Sequence, residues 1–308
     1  MLVQRNVAIV LHFTIFGNRG NKELQLYINY YSTGKKLVIQ PTLLAIAGSD
    51  PSGGAGIQAD LKTMTSIGVY GAAAITCLTV QNSLGVQEIQ PLSADFVRKQ
   101  IEAVLADHNV THIKIGMTGT VEIVKSLGQI LESFQGTIIY DPVLAATSGK
   151  SLLDSGDISC LARDLLCRIS FLTPNIPELE RLTDRQIHSS NAAIDSALLL
   201  LNTYPTMEGI IVKGGHMDES SETVSDFLVL RNDNAHESRK KRINNNNLHG
   251  TGCTYASAFA SYLCLKNDSV SAFYQASKFM DLIIQFGVDK NLTKRGTNGP
   301  LFHTFSKN

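Results

Sequence analysis

The chain has 308 residues, 44% hydrophobic and 18% charged, which is enough apolar chain to bury a large core and excludes disorder as the default. Lysine plus arginine and aspartate plus glutamate both number 27, so no net field draws the protein to nucleic acid or to an anionic membrane. A small neutral or phosphorylated ligand fits better, and five cysteines without a Cys-x-x-Cys pair argue against a disulfide framework or zinc knuckle and for a reducing, cytoplasmic compartment.

The first 41 residues differ from the rest: Arg5, Arg19, Lys22, Lys35 and Lys36 stand against one acid, Glu23, beside a short apolar run over 7–16. An organelle-targeting segment or degenerate secretory signal fits that bias. His12 interrupts the run and no small-residue cleavage site follows, so an upstream extension with little structure is the expectation, and region 42–308, without a composition break or internal repeat, is read as one domain. No apolar run reaches the roughly 18 residues that span a bilayer.

From Thr42 onward, short β-branched or aliphatic runs alternate with helical periodicity. Strands are predicted over 43–46, 73–78, 112–115, 137–140, 170–172, 210–212 and 227–230, and helices over 57–67, 93–107 and 121–134. Alternation of this kind implies βαβ units, and near-continuous apolar strands imply burial on both faces. The predicted fold is α/β: a three-layer αβα sandwich around a mostly parallel sheet.

The unusual residues follow the strand ends in order. Gly48-Ser49-Asp50-Pro51-Ser52-Gly53-Gly54-Ala55-Gly56 comes after the first strand and Gln81-Asn82 after the second. Gly116-Met117-Thr118-Gly119, Asp141-Pro142, Thr173-Pro174-Asn175 and Lys213-Gly214-Gly215-His216 follow the next four. In an open α/β sheet, ligands bind beyond the carboxyl ends of the strands, so these motifs should converge on one site. Asp60, one turn into the helix after the first loop, could face either solvent or ligand.

Asp141, Asn175 and Glu178 are oxygen groups of the kind that hold magnesium against nucleotide phosphates, although capping by Asn175 and a first-turn charge at Glu178 explain that pair almost as well. Lys213 with Gly214 and Gly215 offers a close backbone approach beside a cation. Arg239-Lys240-Lys241-Arg242 reads as a solvated connection. Cys77, Cys160, Cys167 and Cys264 read as small core residues, and His108, His112, His188 and His236 as ordinary ones.

Near the end comes His249-Gly250-Thr251-Gly252-Cys253-Thr254, a glycine-rich turn running into an apolar helix. Unencumbered amides at Gly250 and Gly252 and the positive helix end form an anion cradle. Cys253 falls in the first helical turn, where the unpaired amides are expected to lower its pKa. Neither a P-loop nor a Gly-x-Gly-x-x-Gly fingerprint occurs. A polarised thiol beside an anion cradle suggests a kinase site.

Together these motifs resemble the hydroxymethylpyrimidine and phosphomethylpyrimidine kinases of thiamine biosynthesis, in the ribokinase-like superfamily, from about Thr42 to the C-terminus. The resemblance implies a transferase that uses ATP and Mg2+ to phosphorylate 4-amino-5-hydroxymethyl-2-methylpyrimidine and then its monophosphate. It implies that Gln81 hydrogen-bonds the ring, with Gly48, Asp60 and Met117 lining its pocket. Gly250 and Gly252 would bind the transferring phosphoryl group, Cys253 would act as base, and Asp141 and Glu178 would serve magnesium. Lys213, Asn175 and Thr251 would contact the nucleotide. A homodimer without nucleic-acid or membrane partners is the expected form. The C-terminal run 296–303 only approximates the family's glycine-rich ending, and the chain has no length left for the thiaminase-like domain of many fungal members, so no thiaminase activity is expected. Pyridoxine or pyridoxal kinase, of the sister family, is the nearest alternative, followed by a catalytically silent pyrimidine-binding paralogue.

Overall fold

A computed structural model describes residues 8–11, 28–31, 40–144, 157–217, 220–231, 234–245, 247–294 and 299–303. The chain divides into two compact units, Met1–Ile39 and Gln40–Asn308. In the first, β1 (Ala8–Leu11) and β2 (Ile28–Tyr31) form an antiparallel pair.

The second unit is built on a nine-stranded sheet. Its strands are β3 (Thr42–Ser49), β4 (Tyr70–Asn82), β5 (Gly85–Pro91), β6 (Val110–Ile115), β7 (Thr137–Tyr140), β8 (Phe171–Leu172), β9 (Gly209–Val212), β10 (Thr223–Leu230) and β11 (Ala235–Lys241), in the order β11-β10-β9-β8-β7-β6-β3-β4-β5. The six strands from β4 through β3, β6, β7 and β8 to β9 are mutually parallel, and antiparallel strands extend both edges. Helices α1 (Gly56–Ile67), α2 (Ala94–Asp107), α3 (Val121–Leu131), α4 (Asp157–Cys160), α5 (Ile176–Thr183), α6 (Ser190–Thr203), α7 (Thr251–Cys264) and α8 (Ser269–Phe286) complete it.

Residue alternation along β3 shows why both faces must be covered. Leu44 and Ile46 pack into one core with the apolar faces of α2, α3, α5 and α6, while Leu43, Ala45 and Ala47 pack into the other with α1, α7 and α8. All five are essentially inaccessible to solvent. This is the three-layer αβα arrangement expected for a sheet buried on both sides.

The order of connection reverses at β3, whose neighbours are β4 and β6. That reversal opens a crevice at the carboxyl ends of the strands, beside the tips of β3 and β6.

Two features depart from the sequence reading. The basic run expected as a solvated connection is largely strand β11, which pairs with β10; its alternating burial and charged side chains suit an edge strand. Gln81, expected beyond its strand, lies within β4 opposite Val86 because that strand extends to Asn82. Residues 296–298 of the C-terminal run lie outside the described residues. No helix among the described residues is long and apolar enough to cross a membrane.

Candidate active site

The turn at 250–253 is held by glycine where no other residue fits. Gly250 has φ +87°, and a Cβ there would lie 1.8 Å from the Gly54 carbonyl oxygen. The two glycine-rich loops therefore touch backbone to backbone. Gly56, at φ +54°, is equally constrained, since its Cβ would lie 2.1 Å from the Gly48 oxygen.

Helix α7 starts at Gly250 with no side-chain cap, leaving its first-turn amides without the usual internal partner. Lys213, at the tip of β9, reaches toward this turn, with its ammonium 3.2 Å from where a Gly252 Cβ would sit. Helix start and ammonium together make an anion site.

Lys213 is anchored by two acids, one at the tip of β7 and one in the first turn of α5. Its Nζ donates to Asp141 Oδ1 at 2.7 Å and lies 3.9 Å from Glu178 Oε2. Asn175 and Glu178 form a complete capping box on α5, with the Glu178 amide donating to Asn175 Oδ1 and the Asn175 amide to Glu178 Oε2, both at 2.8 Å. The Asn175 side chain is thus committed to the cap, and it fixes Glu178 beside Asp141 and Lys213. Burial lifts Glu178 to about 7 against the pull of Lys213, and Asp141 adds to the lift. Two carboxylates share one ammonium here, a surplus of negative potential that suits a hard cation bound through water and phosphate oxygens. No cluster of three or more histidine, cysteine or acidic side chains among the described residues could hold a metal alone.

Cys253 lies one turn before Ser257 on the same face of α7. Ser257 donates to Asp60 Oδ1 at 2.6 Å, and Lys114 donates to both Asp60 oxygens at 2.9 and 3.0 Å. Lys114 and Asp60 are completely buried. Asp60 therefore faces neither solvent nor open crevice, the two orientations the sequence left open. The lysine Nζ lies 3.0 Å from a Cβ built on Gly116, which puts a buried positive charge under the tip of β6.

The expected lowering of the Cys253 pKa is overturned. The residue is half-buried, and withdrawal from water pushes its thiol up to about 11. Lys114 and the Gly56 amide pull downward, while Asp141 and Asp60 add to the rise. Partial charge at a helix start is too small to offset desolvation beside two carboxylates.

The remaining sequence candidates meet at the tips of β3, β4 and β6. A Cβ on Gly48 would lie 2.7 Å from Cys77 Sγ and 3.4 Å from Met117 Sδ, and these two sulfurs are 3.8 Å apart. Gln81 reaches across to the other glycine loop, its Nε2 3.0 Å from His249 Nε2. His249 Nε2 also lies 2.9 Å from Asp50 Oδ2. Asp50 accepts from the amides of Ser52, Gly54 and Ala55 and from the Ser52 hydroxyl. Burial raises its pKa, but His249 and Ser52 outweigh that and hold it at about 2. A cavity of about 520 Å³ opens beside His249, lined also by Ser52, Lys62 and Asn82.

Asp50, Lys114 and His249 were missed as site residues. A lysine inside an apolar strand was a usable signal, because a charge in a sheet covered on both faces needs a partner. His249, one residue before the glycine turn, was another.

A mixed α/β sheet with glycine loops, an uncapped helix start and a cation–acid cluster beyond the carboxyl ends of its strands defines a phosphotransferase of the ribokinase-like fold. The family described as phosphomethylpyrimidine kinase matches residues 50–301, and the chain belongs to it. The hydroxymethylpyrimidine/phosphomethylpyrimidine kinase of Haemophilus influenzae is 38% identical over 244 residues, covering 79% of this chain and 90% of that protein. The crystal structure of phosphomethylpyrimidine kinase from Clostridium difficile is similar at TM-score 0.68 and 36% identity, over 79% of this chain and 98% of that one. The pyridoxal kinase from Staphylococcus aureus in complex with ADP is similar at TM-score 0.76 and 27% identity, over 86% and 94%. The chain spans about half the length of two other curated relatives it matches, 46% and 50%.

Proposed function

We propose that this kinase transfers the terminal phosphoryl group of ATP to the hydroxyl of 4-amino-5-hydroxymethyl-2-methylpyrimidine and then to the resulting monophosphate. The observation that carries the reading is the uncapped start of α7, with the Lys213 ammonium beside Gly252 and the Cys253 thiol one residue on. Phosphoryl transfer through a loose transition state needs chiefly alignment and charge stabilisation, which amides and a fixed cation supply without reorganisation.

In this reading Gly250, Gly252 and Lys213 bind the moving phosphoryl group, Thr251 contacts the nucleotide, and Asn175 acts by fixing Glu178. Asp141 and Glu178 would hold Mg2+ through water, and the ion would neutralise charge on the phosphates. Gln81 hydrogen-bonds the ring, Gly48 and Met117 line its pocket with Cys77, and Asp60 supports that pocket from below. Cys253 takes the alcohol proton, which a loose mechanism releases late. With a thiol near 11, the thiolate fraction grows as pH rises toward that value.

We extend the reading to a homodimer working in the cytoplasm without nucleic-acid or membrane partners. Exposed Leu78, Val80 and Leu84 on the β4–β5 edge offer a pairing face, the five cysteines are free, and the net formal charge is zero.

The higher TM-score to a pyridoxal kinase favours one second reading, phosphorylation of pyridoxal. Mass spectrometry of products after incubation with ATP and each alcohol tests both. The first reading predicts mono- and diphosphorylated pyrimidine, and a turnover preference for pyridoxal of about tenfold or more would replace it.

A further inference from the structure

The contact joining the two glycine loops also decides how Gln81 is presented. His249 Nε2 approaches Asp50 Oδ2 at 2.9 Å and the Gln81 amide at 3.0 Å, yet one ring nitrogen cannot donate in one direction and accept in the other. The Asp50 side settles which it does. Its carboxylate is 3% exposed and already accepts three backbone amides and a hydroxyl, an arrangement that keeps it ionised and acceptor-only. His249 Nε2 therefore carries its proton toward Asp50.

A Gln81 N–H pointed at that nitrogen would set donor against donor. The two ends of a carboxamide exchange places on a half-turn, and the hydrogen-bond network decides between them. The favourable arrangement turns Gln81 Oε1 to His249 and the amide nitrogen to the position beside Thr79 Oγ1, 3.3 Å away.

We infer that His249 is a positioning residue that sets substrate orientation: its Nε2 proton, shared between Asp50 and the Gln81 carbonyl, fixes the hand of the Gln81 amide. The inference rests on the proposed role of Gln81 in binding an aminopyrimidine. Such a ring presents a nitrogen acceptor next to an exocyclic amino donor, which a carboxamide complements in one sense only. Reversing the amide turns the ring over. The hydroxymethyl arm, on the carbon next to the amino-bearing one, then moves to the opposite side of the amide. A ring without that paired edge, such as pyridoxal, is not held to one sense.

The test compares 4-amino-5-hydroxymethyl-2-methylpyrimidine with its analogue lacking the 4-amino group, by steady-state kinetics and by calorimetric affinity on the full chain. Wild type should prefer the amino compound by about 10²-fold in kcat/KM. His249→Ala should shrink that preference to about threefold or less, chiefly through kcat, because the amide is then free to take either hand. His249→Gln, which keeps a side-chain N–H, should restore part of it. If His249→Ala does not fold, Asp50→Asn serves instead, since it removes the ionised acceptor that orients the histidine proton. A variant that folds and keeps the full preference overturns the inference, as does a wild type that does not discriminate. Calorimetric preference for the amino compound without any turnover would instead overturn the proposed function while leaving His249 testable by affinity.

Discussion

The helix starts whose capping residue is described fall, for the helices of eight residues or more, into two groups. Those of α2, α3, α5, α6 and α8 are capped by the side chains of Ser93, Thr120, Asn175, Ser189 and Asp268, each accepting from an amide in the first turn. Those of α1 and α7 begin at Ala55 and Gly250 with no side-chain cap. A missing side-chain cap costs about 1 kcal/mol with alanine at the position, as in α1, and only a few tenths with glycine, as in α7. Among these longer described helices, α1 and α7 lack one, and both are entered from the glycine-rich loops at the crevice. Capped starts tie down their own amides, and in the proposed reading the uncapped start of α7 keeps amides for a ligand.

The contrast is broken most severely at Gly250. Gly250→Ala forces a Cβ to 1.8 Å from the Gly54 oxygen at a φ of +87°, so the turn must move. Turnover should fall by at least about 10³-fold, the scale of losing a pre-organised anion site, as read by ADP release from folded protein.

Cys253→Ala comes next and probes the chemistry without moving backbone. A loss of about 10²-fold to 10³-fold in kcat with the pyrimidine KM within about twofold is expected of a base removed from its site. Equal losses in both parameters would count against the role. Cys253→Asp supplies a base that ionises lower, so the rise of kcat with pH should move to lower pH than in wild type, whose thiol stands near 11.

His303 tests the underside of the same helix start. It is 3% exposed, its Nε2 lies 2.9 Å from Thr254 Oγ1, and burial followed by the nearby Lys62 lowers it from 6.5 to about 4. Because the folded pKa is depressed, the unfolded chain binds the extra proton between pH 6.5 and 4. Stability contributed by neutral His303 is complete above 6.5 and should decline on acidification through that window, by on the order of 1 kcal/mol per pH unit. Urea titrations of wild type and His303→Asn would show the difference, and parallel curves would remove the assignment.

The smallest effect belongs to the capped group. Ser189→Ala loses the bond from the Ala192 amide and should cost about 1 kcal/mol in chemical denaturation with kcat unchanged. A substantial loss of turnover would blur the division between the two groups.

Much of the site was legible before any coordinates. Gly48, Met117, Asp141 and Lys213 follow apolar runs, the Gly250–Cys253 turn precedes one, and strands buried on both faces announce themselves by continuous hydrophobicity. The half-exposed strands β5 and β11 gave no such signal, since edge strands carry charge and alternate. Asp60 illustrates another limit. Its position on α1 was readable, but its partners Lys114 and Ser257 come from β6 and α7, 54 and 197 residues away.

The sequence by itself determined the alternation of strand and helix, the glycine positions that permit close backbone approach, and the kinds of side chain at each strand tip. These follow from local periodicity and steric allowance, which act within a few residues. Only the tertiary structure decided that Asp50 and His249, 199 residues apart, would meet at 2.9 Å, and that Cys253 would be raised rather than lowered in pKa. Such outcomes depend on burial and on charges gathered from distant segments, and neither exists until the sheet has closed the crevice.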